Sequence, residues 1–247
     1  SDPWPHLGWS ASYLHSARYG GTSPINFVSW SLEIEVQFYA LMPLVALVFF
    51  SWRRAWLRWL CLTVACVPSA IIQMKRYGTH FPHGFSLVDQ VQFFVAGIIL
   101  AEVYLRRWYK KAEASPMHAI AWDLVALLGL AAIPAVMLID RQAARFVIPF
   151  LLFAGYAGVL RGRVLRRVFA SALVSTVGGM CYTIYLYHWY IMENAVKLLG
   201  GFLQTSYLKN LVLVGPIVFA SVFLVSAVLF FAIEKPFMML AARLRSR

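Results

Sequence analysis

The sequence predicts an all-α fold, a polytopic transmembrane helix bundle of about seven spans. Three observations predict it. Hydrophobic residues make up 61% of the chain and charged residues only 13%, with a mean hydropathy of +0.70; a soluble domain carries roughly 45–50% and about 25%. The apolar residues fall in runs near the roughly 20 residues that cross a bilayer as a helix. The basic residues sit in short clusters between those runs, which is how membrane topology is written.

Residues 1–26 form a polar segment ahead of the first span, expected on the extracytoplasmic side. It opens Ser-Asp-Pro-Trp, without a basic stretch or an initiating Met. It is therefore not a signal peptide, and it reads as the interior of something longer. The spans are expected at 27–50, 56–72, 87–105, 119–139, 146–160, 168–192 and 208–233. The fifth is short and carries Pro149 near its start; Pro43, Pro68, Pro134 and Pro216 fall inside other spans, which lipid-embedded bundles tolerate. The bundle extends over 27–237, and 238–247 is a basic tail.

Fifteen basic residues, from Arg53 and Arg54 through Arg161–Arg167 to Arg247, fall on one side of these spans and seven on the other. The positive-inside rule puts the first group in the cytoplasm, the N-terminus outside and the C-terminus inside. The formal net charge of +12 is thus a topological signal, and nucleic-acid binding is not expected. Cys61, Cys66 and Cys181 lie in apolar runs without ligand spacing, so neither a disulfide framework nor a metal site is expected.

Ionisable groups within spans are costly and each needs a reason. Ser31, Glu35 and Tyr39 share one helical stripe at i, i+4 spacing; Trp30, Glu33 and Gln37 share another. Glu33 reads as an interfacial carboxylate near a helix N-terminus. Glu35 reads either as a buried structural hydrogen-bonder or as part of a polar site facing a cavity. In the sixth span His188 follows Tyr185 by three residues and precedes Trp189. It is either an interfacial residue or, with a carboxylate at its depth, a group that orients a hydroxyl. Glu102 is expected to pair with Arg106 at i, i+4. Asp89 and Asp140 are placed at helix ends, and Asp123 one turn into the fourth span. His6, His15, His80, His83 and His118 are placed in loops.

Two of these segments resemble a known family. Trp30-Ser31-Leu32-x-x-Glu35-x-Gln37-Phe38-Tyr39, closing on Pro43, resembles the W-S-L-x-x-E-x-Q-F-Y…P signature of the membrane acyltransferase-3 family. Tyr182-Thr183-Ile184-Tyr185-Leu186-Tyr187-His188-Trp189 is similar to its S-Y-x-I-Y-L-x-H segment, with Cys181 where the family often has Ser. Phe94-x-x-Gly97-x-x-x-Ala101 and Ile233-Glu234-Lys235-Pro236-Phe237 match two further motifs, in the family's order. The resemblance implies a membrane-bound O-acyltransferase of a bacterial inner membrane. The donor would be a cytoplasmic acyl-CoA, often acetyl-CoA, used as a substrate with no bound cofactor. The acceptor would be a hydroxyl of an extracytoplasmic glycan or polysaccharide. Glu35 and His188 would be catalytic, and Ser31, Tyr39, Tyr185 and Trp189 would contact substrate. The basic loops either anchor topology or meet the phosphates of CoA.

The family's Arg-x10-His pattern has no counterpart before Trp30. The resemblance therefore implies that these are the last seven of about ten helices, and that a preceding three-helix segment supplies the general base. On that expectation the chain alone does not turn over, unless His6 or His15 replaces the base. Two rival readings are a transporter for a glycan or lipid carrier, which would want paired polar breaks at mid-depth, and a non-catalytic remnant or accessory bundle.

Overall fold

The structure, a computed structural model, describes residues 4–52, 54–76, 85–109, 115–139, 141–203 and 206–245. His80, His83, Asp140, Arg53, Lys110, Lys111 and Arg247 lie outside the described residues. The described chain is all-α, with no strand among the described residues. It divides into two compact units, Ser1–Ala170 and Ser171–Arg247.

In the first unit, α1 (Trp4–Ala11) and α2 (His15–Tyr19) precede α3 (Trp30–Phe50). Asn26 starts α3 through a one-turn lead: its side-chain oxygen accepts from the Val28 N–H at 3.1 Å. This is the usual way a short amide satisfies an orphan donor at a helix entry. The unit continues with α4 (Ala55–Arg76), α5 (Leu87–Val103), α6 (Pro116–Ile139) and α7 (Arg141–Arg161). Ser86 caps α5, accepting from the Asp89 N–H at 3.3 Å and donating to the Asp89 carboxylate at 2.6 Å. A π turn, Tyr104–Trp108, prolongs α5, and α8 (Val164–Phe169) closes the unit.

The packing is that of a membrane protein. Along α6 the buried residues are Ala119, Asp123, Ala126 and Gly129, a stripe of small side chains at three- and four-residue spacing. The large ones face outward, with Leu128 71% exposed. On α7 the counterparts are Gly155, Ala157 and Gly158. A Cβ on Gly158 would sit 2.6 Å from the Trp122 carbonyl oxygen, so the two backbones meet with no room for a side chain. Small residues at a close helix–helix seam are how bundles pack where the surroundings are as apolar as the helices. Phe38 of α3 stacks on Phe94 of α5 with centroids 4.1 Å apart.

In the second unit, α9 (Ala172–Gly179), α10 (Cys181–Leu198), α11 (Tyr207–Leu213) and α12 (Gly215–Leu229) are followed, through a π turn, by α13 (Lys235–Arg245). The span expected at 168–192 is not one helix. Ser171 starts α9 by accepting from the Val174 N–H at 3.4 Å, and the helix breaks again at Met180 after the Gly178-Gly179 pair. The stretch expected at 208–233 breaks at Val214, because Pro216 has no N–H and fits the first turn of a new helix.

Three helices among the described residues are long and apolar enough to cross a membrane: Leu87–Trp108, Pro116–Ile139 and Gly215–Ala241. Ala55–Ser69 and Phe146–Arg161 are shorter apolar helices. His118, expected in a loop, lies in the first turn of α6, and His6 and His15 lie on α1 and α2.

Candidate functional site

The polar centre of the first unit is built at the N-terminal end of α3. Glu33 is 1% exposed, so the carboxylate expected at an interface is instead the buried one. One of its oxygens accepts from the Ser16 N–H at 2.8 Å. The other, like the buried Ser16 hydroxyl, has no hydrogen-bond partner among the described residues. Gln37, one turn along, donates from its amide to the Tyr13 carbonyl at 3.3 Å. The stripe that meets the 13–16 segment is therefore that of Glu33 and Gln37. Glu35 and Tyr39 are exposed on the other face, with Tyr39 at 62%, and Ser31 is half-buried. The Glu35 side chain has no hydrogen bond to any described residue.

The backbone bond to Ser16 ties a histidine pair to α3. His15 is 2% exposed. Its Nδ1 lies 3.3 Å from the Gly21 carbonyl, and its Nε2 lies 2.9 Å from Nδ1 of His6. A carbonyl can only accept, so His15 Nδ1 carries the hydrogen. In the neutral pair Nε2 of His15 then accepts, and Nδ1 of His6 donates. The chain of bonds leaves a lone pair on His6 Nε2, at the half-buried end. Tyr19 closes the cluster, its ring 4.7 Å from His6 and 4.8 Å from His15. Sequence reasoning placed both histidines in loops. Their nine-residue spacing gives no helical register, and only the turn between α1 and α2 brings them together.

In the second unit, His188 Nδ1 lies 2.7 Å from the Tyr185 carbonyl, and the two rings are 5.8 Å apart. The same argument puts the hydrogen on Nδ1 and leaves Nε2 as the basic nitrogen. Trp189 is exposed on the same helix. The Thr183 hydroxyl donates to the Glu234 carboxylate, joining the Tyr182–Trp189 segment to Ile233–Phe237. Glu35 and His188 belong to different units, and each is described within its own.

A third polar group is structural. Arg58, counted by sequence among loop cations, is 1% exposed and forms a salt bridge with Glu102. Trp59 Nε1 donates to the same carboxylate at 2.8 Å, and Arg106 approaches it at 3.1 Å, as its i, i+4 spacing predicted. Among the described residues no group of His, Cys, Asp and Glu has the geometry to hold a metal.

With this arrangement in view, the comparison with known families is decisive. The sequence pattern of the acyltransferase-3 family, described as an acyltransferase domain, matches residues 2–232. The chain belongs to the acyltransferase-3 family. It is thus an integral membrane protein of an acyltransferase family. The matched stretch contains the His6–His15 pair, the Trp30–Tyr39 motif and the Tyr182–Trp189 motif; Glu234 falls just beyond it. No curated protein and no solved structure matches the chain.

Proposed function

We propose that the protein transfers an acyl group, most simply acetyl, from cytoplasmic acyl-CoA to a hydroxyl of an extracytoplasmic glycan, with its N-terminus outside a bacterial inner membrane. The observation that carries the reading is the hydrogen-bonded histidine pair tied to the buried end of the motif helix, inside the acyltransferase-3 match. A glycan hydroxyl is a poor nucleophile until a base removes its proton as it attacks. His6 Nε2 accepts that proton. The hydroxyl oxygen forms a bond to the thioester carbonyl carbon, the C–S bond breaks, and the thiolate leaves as CoA after taking up the proton. His15 keeps the His6 ring in the right tautomer, as an orienting partner does for a catalytic imidazole. In the first unit Glu35 and Tyr39, with half-buried Ser31, and separately in the second unit Trp189, with half-buried Tyr185 and His188, are polar and aromatic groups suited to contacting a sugar.

The test is release of free CoA by the purified chain in lipid, given acetyl-CoA and an oligosaccharide acceptor. Acceptor-dependent release that disappears in His6→Ala supports the reading. Release that survives His6→Ala and disappears in His188→Ala moves the base to the second unit. No acceptor-dependent release at all refutes glycan acylation by this chain.

A further inference from the structure

The 15 residues of α12 and the five of the π turn after it, Gly215–Glu234, rise about 30 Å at 1.5 Å per residue. That is the depth of a hydrocarbon core. The apolar helix that continues to Ala241 has 27 residues, about 40 Å, so its last part projects beyond the core. The composition changes at the same place. Glu234 is the only ionisable side chain from 215 to 234, and it accepts from the Thr183 hydroxyl. From Lys235 to Arg245 the chain carries Lys235, Arg243 and Arg245 and no carboxylate. The helix also has a joint here. Pro236 has no N–H with which to reach the Ala232 carbonyl, and just before it the Lys235 N–H donates to the Phe230 carbonyl, five residues back. Prolines and π turns are where helices bend.

Helix α13 is amphipathic. Phe237, Leu240, Ala241 and Leu244 form one stripe at three- and four-residue spacing, and all four are exposed. By helical register Lys235 lies opposite the stripe, and Arg243 and Arg245 fall one on each side of it. Lys235 is exposed, with its Nζ 4.8 Å from the centre of the Phe231 ring, and no salt bridge engages it among the described residues. Water disfavours such a stripe, and hydrocarbon disfavours three cations. The membrane boundary suits both. The stripe enters the acyl region while the cations, on long flexible stems, stay at headgroup level. The end of the Gly215–Glu234 span delivers α13 to that depth.

We propose that α13 is an interfacial helix that docks on anionic phospholipid, its stripe from Phe237 to Leu244 in the acyl boundary and Lys235, Arg243 and Arg245 at the headgroup phosphates. Charge complementarity selects the partner. A zwitterionic surface satisfies the stripe alone, whereas each basic residue near an anionic surface adds about fivefold to the binding. The site is independent of the acyl-transfer reading and needs neither donor nor acceptor.

The experiment places an environment-sensitive fluorophore at Leu244→Cys of the full chain, with Cys61, Cys66 and Cys181 replaced by alanine. The chain is held in nanodiscs of phosphatidylcholine alone or mixed with phosphatidylglycerol, and exposure of the probe is read by acrylamide quenching. Phosphatidylglycerol lowers the quenching by about fivefold or more. Salt at about 1 M, where the Debye length falls to about 3 Å, restores it. The double variant Lys235→Gln/Arg243→Gln loses the shielding, and Lys235→Arg/Arg243→Lys retains it, which separates loss of charge from loss of fold. Shielding that is equal in the two lipid compositions, or that survives the neutral double variant, overturns the site. Shielding that appears in phosphatidylcholine only when RNA or a soluble protein is added assigns the basic face to that partner and also overturns it.

Discussion

At one end of the first unit the buried Glu33 carboxylate is held by a backbone N–H; at the other, the Asp123 carboxylate holds a turn that carries four arginines. Among the described residues Glu33 makes its one hydrogen bond to the Ser16 backbone N–H. At the arginine end the Asp123 carboxylate is held on the backbone N–H groups of Arg163, Val164 and Leu165. Helix α5 links the two. Ser86 starts it beside Phe85, whose ring meets Trp30 at 5.0 Å, and its terminal π turn lines one cavity with the arginines. The 22 residues of Leu87–Trp108 span about 33 Å at 1.5 Å per residue, the thickness of a hydrocarbon core. The contrast teaches that a buried carboxylate serves the fold in two ways: Glu33 fastens a neighbouring segment through one backbone N–H, and Asp123 closes a turn through three.

The comparison breaks most visibly at the histidine end. His6→Ala removes the only nitrogen of the pair with an open lone pair. It lowers acceptor-dependent CoA release by about 10² to 10⁴, the usual worth of a general base; His15→Gln, which can still accept from His6, lowers it less. A ratio of the two variants near one would show that the bond between the rings has no part in the reaction.

Next in size is Arg58→Met. Glu102 then stays buried with Arg106 and Trp59 alone, and breaking a buried pair from one side costs about 3–5 kcal/mol. A lowered Tm in detergent reads this, and a double Arg58→Met/Glu102→Leu variant recovers much of the loss. If the single variant melts unchanged, the pair is not what holds α4 to α5.

Much of this architecture was legible in the sequence. Hydropathy found α5, α6 and α12, where apolar residues dominate, and i, i+4 spacing found Glu102 with Arg106. It did not find which carboxylate is buried. Glu33 and Glu35 sit two residues apart on one helix, and only the docking of α2 through Ser16 selects the Glu33 face. Nor did it find the breaks at Met180 and Val214, because hydropathy runs smoothly through residues whose backbone does not. The arginines at 161–167 were read as topology anchors or as contacts for the phosphates of CoA, and the turn that presents them was not. Its closure depends on Asp123, forty residues earlier in the chain.

Asp123→Asn tests that closure. It keeps the size of the side chain and removes the charge from three accepted hydrogen bonds, at about 1.5–3 kcal/mol. It is expected to lower Tm while leaving the histidine end untouched. A lowered Tm together with altered CoA release would couple the two ends.

The smallest effect expected is that of Glu35→Gln set against Glu33→Gln. With no side-chain hydrogen bond to lose, Glu35→Gln leaves stability within about 0.5 kcal/mol of the parent, and any fall in transfer reports on the acceptor. Glu33→Gln places an amide beside the Ser16 N–H and lowers Tm. Equal melting of both variants would show that the buried position contributes nothing to the fold.

The seam between α6 and α7 has a consequence for biogenesis. Helix α7 brings Pro149, and beyond its first turn its apolar stretch is only Phe146–Arg161, a weak passenger for unassisted entry into a bilayer. Its partner is strongly apolar, and the two are zipped along Ala126, Gly129, Ala157 and Gly158 with backbones in contact. Such a hairpin can leave the insertion machinery as one object, the strong helix carrying the weak one. A Gly158→Ala change that pries the seam open would then show first as poor delivery of α7 during synthesis, before any finished protein exists to melt or to assay.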